Sequence, residues 1–342
     1  MPHAEPQRTS TPVPVLPLAA VQAARERLAP VVPRSPMLRL PPGDAPARAE
    51  APPGDDLEIF LKLENLQPIG SFKLRGAGNA MLQLPAARLS RGVWTASAGN
   101  MAQGVAWMAR RLGVPCTAVV PDSAPAAKLR AVEDMGARLL RLSYAEWWRC
   151  IEEHECDSVD GTLVHPVSDP EVVAGNGTIG LEILDDLADV DAIVIPWGGG
   201  GLSVGIASAI RALRPQTRIY ACEVQTAAPL AAALAAGAPR TIERTPSFVD
   251  GIGSASVLPE LWPAACRLLD GSIVVSLAAV CDAIRMLAER CRIIAEGAGA
   301  AAVAAALSGD AGRGRIVCIV SGGNIDRAVL SPILRGEMPL LP

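Results

Sequence analysis

The sequence lacks the long apolar and strongly basic segments that mark membrane proteins and nucleic-acid-binding proteins. No stretch of about 18 apolar residues runs without polar interruption, and the Ala-rich run 298–307 is too short to cross a bilayer. The formal net charge of the 342 residues is −4, and no basic stripe stands out. We therefore expect neither a membrane nor a nucleic acid among the partners of this chain.

Paired cysteines and a leader segment are also missing. None of the 8 cysteines forms a Cys-x-x-Cys pair, and residues 1–15 have no cationic region followed by an apolar core. These features predict reduced, mostly buried thiols, a cytoplasmic location and a poorly ordered tail over residues 1–15. Cys150, His154 and Cys156 are close in sequence, but a fourth ligand is missing, so we expect no metal there.

Two common phosphate-binding fingerprints are absent as well. The glycine-rich segment 198–201 has no Gly-x-Gly-x-x-Gly spacing and no Gly-Lys-Ser/Thr ending. The sequence thus argues against a Rossmann oxidoreductase and against a P-loop enzyme.

What is present is a repeated order of apolar strand, small-residue turn and helix. Such an order favours an α/β fold with mostly parallel sheets and right-handed crossovers. Strands are predicted at 57–63, 93–96, 116–120, 138–142, 192–196, 218–222 and 315–320, with helices at 19–28, 74–84, 101–112, 126–135, 145–155, 178–187, 202–213, 280–291 and 298–307.

Lysine is scarce, and its positions are therefore informative. Only Lys62, Lys73 and Lys128 occur among the 31 basic residues. Lys73 follows the turn Gly70-Ser71-Phe72, between a predicted strand and a predicted helix. A Schiff base needs a primary amine that can lose its proton, whereas a guanidinium stays charged. Lys73 is thus a candidate reactive amine, although an ordinary surface lysine at a loop fits the same pattern.

Three further turns carry candidate binding groups. Gly198, Gly199, Gly200 and Gly201 follow a buried strand and precede a helix, where backbone amides can hold a phosphate. The segment Ser97–Gly104 also opens a helix and suits a carboxylate, although an ordinary N-cap would look the same. Ser321, at the end of the last strand, could face a ring nitrogen.

Taken together, these motifs resemble one family. The run from Lys62 to Ala77, with Gly-Ser-Phe-Lys at its centre, is similar to the attachment site for pyridoxal 5′-phosphate (PLP) in serine/threonine dehydratases, whose relatives include phenylserine dehydratase. The resemblance covers roughly residues 30–330. It continues in order through segments 97–104, 126–136, 175–182, 198–202, 250–252, 296–301 and 321–324. It implies the tryptophan-synthase-β-like fold (fold type II), with two open α/β lobes, mostly parallel sheets and PLP in the cleft.

The resemblance also implies roles for individual residues. Lys73 carries the cofactor as a Schiff base and later acts as the base at Cα, and Phe72 packs against the ring. Asn100 bonds the cofactor's phenolic oxygen, and Ser321 faces the pyridine nitrogen. The phosphate is held by backbone amides of Gly198, Gly199, Gly200, Gly201 and Leu202. The substrate-binding residues are Ser97, Ala98, Asn100, Met101 and Trp197.

Several positions depart from the family pattern. Met101 replaces a usual His, and Trp197 is bulkier than the usual residue, so both predict either plain packing or a pocket for an aromatic β-substituent. Ala98 stands where serine racemases of the family have a second base, which predicts elimination over racemisation. Glu223 matches a cation ligand of racemase-like members, but Pro229 stands where a carboxylate is expected, so Glu223 is interpreted as structural.

The sequence therefore predicts a PLP-dependent ammonia-lyase that eliminates water from a 3-hydroxy-L-amino acid of the threonine, serine or phenylserine class. A racemase or β-replacement synthase of the same fold, and a binding protein that has lost its chemistry, remain alternatives. We expect a large PLP-binding domain at 16–84 and 169–342, a small domain at 85–168 and, from the family's habit, a homodimer. The chain ends soon after Ser321, which predicts no C-terminal regulatory domain and a catabolic role.

Overall fold

The computed structural model describes residues 12–41, 57–124 and 126–340, and its elements alternate between strands and helices. The strands are β1 Met37–Arg39, β2 Leu57–Leu63, β3 Val93–Ala96, β4 Cys116–Pro121, β5 Arg138–Leu142, β6 Thr162–Leu163, β7 Ala192–Pro196, β8 Arg218–Val224, β9 Gly271–Val275 and β10 Gly314–Val320.

The helices begin and end as follows. They are α1 Leu18–Leu28, α2 Lys73–Leu82, α3 Ala86–Leu89, α4 Asn100–Leu112, α5 Ala126–Glu133, α6 Tyr144–Glu153, α7 Pro170–Asp186, α8 Gly201–Leu213, α9 Pro229–Ala236, α10 Trp262–Leu268, α11 Leu277–Met286, α12 Gly297–Ser308 and α13 Arg327–Leu334. Short helical turns cover Glu64–Leu66 and Asp250–Ile252, and one π-helical turn covers Leu287–Cys291. Within the described ranges no helix is long and apolar enough to cross a membrane.

The strands form two sheets. The larger sheet has the order β1-β2-β10-β7-β8-β9, in which β1 pairs antiparallel with β2 and the other pairs are parallel. The smaller sheet has the order β5-β4-β3-β6 and is parallel throughout. The predicted α/β class with mostly parallel sheets is confirmed. All strands of the smaller sheet fall within 85–168, where a small domain was predicted; the division into domains stays a prediction.

Each sheet is covered on both faces. Along β7, Ala192 and Val194 point to one apolar cluster, whereas Ile193 and Ile195 point to the other. This alternation follows from the two-residue period of a strand. It explains why β7 reads as an unbroken apolar run, as is typical of parallel strands buried on both faces.

The predicted disordered tail lies mostly outside the described residues, and its described end is ordered. Val13 is 3% exposed, and its backbone N–H donates to the carbonyl of Glu260 at 2.8 Å. The expectation of a poorly ordered tail stays a prediction. The segment lacks secondary structure, but an apolar side chain and one backbone hydrogen bond hold it against the six-stranded sheet's helical layer.

The chemistry-bearing turns follow the carboxyl ends of three strands. Ser97 comes directly after β3, Gly198 comes shortly after β7, and Ser321 comes directly after β10. In open parallel sheets, ligands bind in the crevice outside these strand ends. The topology thus places the predicted site residues at the edges where a ligand site is expected.

Candidate active site

Lys73 is the first residue of α2 and is held by a turn that only glycine can make. Gly70 has φ +72°, and a Cβ there would lie 2.5 Å from Asn324 Oδ1. The turn directs the Lys73 side chain to the carbonyl of Pro166, which accepts a hydrogen bond from Nζ at 2.6 Å. The amine is therefore fixed by a neutral acceptor and not by an ion pair.

Burial changes the acidity of this amine. Desolvation lowers the pKa of Lys73 from its ordinary 10.5 to about 8, and the negative charge of Glu296 acts in the opposite direction. A lower pKa leaves a larger fraction of the amine unprotonated near neutral pH. An unprotonated primary amine is the form that attacks an aldehyde.

The glycine segment after β7 leaves no room for side chains. A Cβ on Gly199 would lie 2.5 Å from Val167 Cγ1, and one on Gly201 would overlap the carbonyl oxygen of Val167. Gly200 has φ +99°, a left-handed conformation that glycine adopts without strain. Helix α8 begins at Gly201, so the amides of its first turn have no acceptor within the helix. This arrangement fits a phosphate group.

Residues 166 and 167 join Lys73 to the glycine segment. Pro166 receives the Lys73 hydrogen bond, and the next residue, Val167, packs against Gly199 and Gly201. The structure therefore brings the predicted lysine and the predicted phosphate loop to one place, and Leu202 lies buried at the base of that loop.

The turn 97–100 lies beside the same lysine. Helix α4 crosses α2 so closely that a Cβ on Gly104 would lie 3.2 Å from the Lys73 carbonyl oxygen. The Ser97 hydroxyl accepts a hydrogen bond from the amide of Gly99, at 3.2 Å. A Cβ on Gly99 would meet nothing within 4 Å, so the turn borders open space. Ala98 is half-buried in the same turn.

Asn100 connects this turn to two other segments. Its Nδ2 donates to Glu296 Oε1 at 2.9 Å, and its Oδ1 accepts from Asn324 Nδ2 at 2.8 Å. Glu296 immediately precedes α12, and Asn324 lies four residues after the end of β10. Hydrogen bonds at both Nδ2 and Oδ1 thus fix the orientation of the Asn100 side-chain amide. A fixed orientation suits a group that forms one defined hydrogen bond with a ligand.

Ser321 is joined to the lysine segment through the backbone. Its carbonyl accepts a hydrogen bond from the amide of Phe72 at 3.0 Å, and Ser71 pairs with Gly322. Ser321 is 3% exposed. The Phe72 ring centroid lies 5.2 Å from Lys73 Nζ. Phe72, Lys73 and Ser321 therefore form one contiguous group.

Trp197 and Met101 are buried in apolar clusters. Trp197 is 0% exposed, and a Cβ on Gly200 would lie 2.5 Å from its ring. It continues the row of Ile193 and Ile195 into the apolar cluster on that face of the larger sheet. Met101 is 1% exposed and belongs to a cluster of the smaller sheet. The structure shows that both side chains pack against apolar neighbours. Contact of either side chain with the substrate stays a prediction.

Some residues of this region were given no role by the sequence. Glu296 lies in a segment that supports the family resemblance, but nothing in its spacing indicates a contact with Asn100. Pro166 acts through its backbone carbonyl, so its side chain carries no signal. Asn324 was noticed only as part of the Ser321 turn.

Glu223 binds the beginning of a helix. Its carboxylate accepts hydrogen bonds from the amides of Leu230 and Ala231, both at 2.8 Å, and from Ser272 Oγ at 2.7 Å. Burial raises the pKa of Glu223, and these hydrogen bonds oppose that effect. The carboxylate therefore caps α9. Over the described ranges, no three His, Cys, Asp or Glu side chains are grouped as metal ligands.

Comparison with known proteins identifies the family. The profile of the family described as "Pyridoxal-phosphate dependent enzyme" matches residues 31–322. An L-threonine ammonia-lyase of Thermotoga maritima is 39% identical over 280 residues, which cover 81% of this chain and 70% of that protein. The catabolic L-threonine dehydratase TdcB of Escherichia coli K12 is 37% identical over 281 residues, which cover 81% of this chain and 85% of that protein.

Solved structures agree with this result. Maize serine racemase superposes with a TM-score of 0.81 at 31% identity and covers 94% of this chain and 98% of its own. The processed form of threonine deaminase isoform 2 from Solanum lycopersicum gives a TM-score of 0.81 at 30% identity, with 98% of each chain covered. The residues present also fit PLP, because a buried amine of lowered pKa adjoins a glycine cradle at a helix N-terminus. The chain therefore belongs to the family of pyridoxal-phosphate-dependent enzymes.

Proposed function

We propose that this enzyme is an ammonia-lyase that eliminates water from a 3-hydroxy-L-amino acid and, after hydrolysis of the product, releases a 2-keto acid and ammonia. The observation that carries the proposal is the Lys73 amine, which is held by Pro166 between the glycine segment and the turn 97–100. Relatives that are 37–39% identical are named L-threonine ammonia-lyase and L-threonine dehydratase, which supports the same reaction class.

The reaction balances without an oxidant or reductant. The Cα–H and Cβ–OH bonds break, water leaves, and the resulting enamine takes up a proton at Cβ. Water then adds to the C=N bond, so the products are a 2-keto acid and an ammonium ion. PLP supplies the electron-withdrawing ring that stabilises negative charge at Cα.

The roles of the chain's own residues follow from their positions. Lys73 would hold the cofactor, and its free amine would remove the Cα proton, for which a pKa of about 8 suits a base near neutral pH. The amides of segment 198–202 would hold the phosphate. Ser97 and Asn100 receive the substrate carboxylate beside the open face of Gly99.

The ring nitrogen and phenolic oxygen of the cofactor would meet uncharged partners. Ser321 is a neutral group, and Asn100 presents an amide that Glu296 and Asn324 orient. A neutral partner leaves the ring nitrogen mostly unprotonated, which moderates the electron sink and favours β-elimination over transamination.

Within the substrate class, we propose L-threonine or L-serine before L-phenylserine. The argument for an aromatic substrate rested on Met101 and Trp197, and both side chains are buried among apolar neighbours. Discrimination among these substrates can turn on a few kcal/mol at the pocket wall.

The test is release of 2-keto acid from L-threonine, L-serine, L-threo-3-phenylserine and threo-3-hydroxyaspartate. Lys73→Ala and Lys73→Arg serve as controls, because neither supplies an amine that loses its proton readily. Turnover fastest with threonine or serine supports the proposal. Turnover fastest with phenylserine would overturn the substrate order, and no turnover by the PLP-loaded enzyme would overturn the reaction.

The rival function is racemisation. Structural neighbours include serine racemases, and the fold alone does not separate the two activities. Ala98 supplies no second base on the opposite face of Cα, which favours elimination. Chiral chromatography of the serine remaining after partial turnover measures this directly, and D-serine formed as fast as pyruvate would favour the rival.

A further inference from the structure

A four-residue turn from His165 to Ser168, here called the His165 turn, contacts both halves of the cofactor site. It joins β6 to the segment that leads into α7. The Pro166 carbonyl accepts the Lys73 hydrogen bond at 2.6 Å, and Val167 packs against Gly199 and Gly201. The shape of this turn therefore sets the position of the amine relative to the glycine segment.

The imidazole of His165 holds the shape of the turn. Its Nδ1 accepts hydrogen bonds from the amides of Val167 at 3.2 Å and Ser168 at 2.9 Å, and the Ser168 hydroxyl also lies at 2.9 Å. Backbone amides only donate, so Nδ1 carries no proton. The proton is then on Nε2, which donates to the carbonyl of Ile151 in α6 at 3.1 Å. The ring is 3% exposed.

The surroundings keep this ring neutral. Burial and the adjacent His154, whose ring stacks at 4.2 Å, lower the pKa of His165 to about 3. The Ile151 carbonyl and Glu260 act in the opposite direction, and Lys73 adds to the lowering. His154 Nε2 in turn lies 3.4 Å from Ser168 Oγ and 3.8 Å from Glu260 Oε1.

We propose that His165 is a positioning residue for cofactor binding. Its unprotonated Nδ1 orders the Val167 and Ser168 amides, so that Pro166 fixes the Lys73 amine and Val167 closes one side of the glycine segment. The inference rests on Lys73 as the residue that carries PLP, as proposed above.

Two substitutions of His165 test the roles of the two ring nitrogens separately. In His165→Asn, the side-chain oxygen occupies the place of Nδ1 and can still accept from the two amides. In His165→Gln, the side-chain amide reaches the place of Nε2, and the two backbone amides lose their acceptor. A buried donor without an acceptor is costly, whereas a retained acceptor is not.

The readouts are the dissociation constant for PLP, measured by fluorescence, and the pH dependence of the absorbance band of PLP attached to Lys73. We expect His165→Gln to weaken PLP binding by roughly tenfold or more and to move the midpoint of the band, and His165→Asn to remain within about threefold of the parent. Glu152→Gln, at an exposed position of α6, is the control and should leave both readouts unchanged.

Equal effects of the two His165 substitutions, whether both large or both absent, would overturn the proposal, because its prediction is the difference between Nδ1 and Nε2. The measurement does not depend on turnover. An enzyme that binds PLP normally but releases no keto acid would count against the proposed function and would leave this test intact.

Discussion

At Lys73 two opposing influences set the acidity of one amine. Removal from water lowers the pKa, and the carboxylate of Glu296 raises it. The same carboxylate accepts a hydrogen bond from Asn100 at 2.9 Å. Glu296 therefore links the charge on the lysine to the orientation of the Asn100 amide, which is proposed to face the cofactor.

Glu296→Gln should lower the pKa of Lys73 below its value of about 8, because the negative charge is lost while the Gln oxygen can still accept from Asn100. The rate of PLP uptake by apo-protein should then reach half-maximum at a lower pH, by ~0.5 units. Stopped-flow absorbance between pH 6.5 and 10 measures the rate of PLP uptake and gives this midpoint. Glu152→Gln, at an exposed position of α6, is the control. A midpoint that stays or rises would contradict the role given to Glu296.

Single residues also show what sequence reasoning can reach. Lys73 and Ser321 were predicted as site residues because residue type and position in a turn or at a strand end carry a signal. Pro166 was not predicted, because it acts through its backbone carbonyl, and the residue type gives no indication of that. From its size, Trp197 was interpreted as either a packing residue or a pocket wall. Its place in the alternation of β7 directs it into an apolar cluster, and substrate contact stays a prediction.

Among the elements, the glycine segment gives a prediction with an internal control. Gly199→Ala brings a methyl group against the Val167 side chain, whereas Gly201→Ala meets the Val167 backbone carbonyl. Both changes should weaken PLP binding on the order of tenfold. Adding Val167→Ala should restore most of the affinity of Gly199→Ala but not that of Gly201→Ala.

Equilibrium titration with PLP measures these affinities. Gly253→Ala provides the control, because the nearest atoms to a Cβ there lie at 3.6 Å, which is ordinary contact. Rescue of both variants by Val167→Ala, or of neither, would show that the contacts with Val167 do not shape the segment.

Helix α2 is anchored to β2 and α7 by a buried ionic network. Arg75 bonds both Glu64 and Glu182, and Lys62 bonds Glu182 at 2.6 Å. Burial opposes the charge on the guanidinium, but Glu64 and Glu182 raise the pKa of Arg75 above its ordinary value. The network fixes α2 two residues after Lys73.

Arg75→Met should lower the free energy of unfolding by about 3–5 kcal/mol, because it leaves two buried carboxylates without their main partner. The exposed pair Arg149–Glu153, with both side chains 61% exposed, offers a matched comparison, and Arg149→Met should cost about 0–1 kcal/mol. Urea unfolding of both variants gives the values. Similar losses in the two would contradict a structural role for the buried network.

Helix α7 shows why the ends of some helices could not be predicted from the sequence. The predicted helix began at 178, whereas α7 begins at Pro170. Gly175 and Gly177 lie just before the predicted start, and glycine is unfavourable inside helices. In the fold they allow close packing: a Cβ on Gly175 would overlap the Arg75 carbonyl, and one on Gly177 would lie 2.8 Å from that of Gly205. Tertiary contact therefore overrides local propensity here.

For the whole molecule, acid stability should depend on His165. An unfolded histidine binds a proton below about pH 6.5, but the folded ring does so only near pH 3. Between these values the unfolded state binds one more proton. The free energy of unfolding should therefore fall as the pH decreases, by up to about 1.4 kcal/mol per pH unit.

His165→Asn removes the group that takes up this proton on unfolding. The free energy of unfolding of the variant should therefore depend less steeply on pH between about 3 and 6.5. Urea unfolding at pH 7, 6, 5 and 4.5 compares the two proteins. Parallel curves would mean that His165 is not a buried neutral ring.

The general architecture could be predicted because apolar strands and small-residue turns recur along the chain. The pairing order of the sheets could not, since β6 has two residues and β9 is a short edge strand that no pattern marked. The predicted homodimer depends on contacts between two chains, and the predicted domain boundaries depend on contacts between domains. The periodicity of strands and helices gives no information on either, so both stay predictions.

The polypeptide returns from the four-stranded sheet to the six-stranded sheet through the His165 turn, and the carbonyl of that turn holds the Lys73 amine. One covalent connection between the two sheets thus also carries the acceptor of the Lys73 nitrogen. A substitution that changes the path of the chain between the sheets would therefore also change the hydrogen bond that holds the amine.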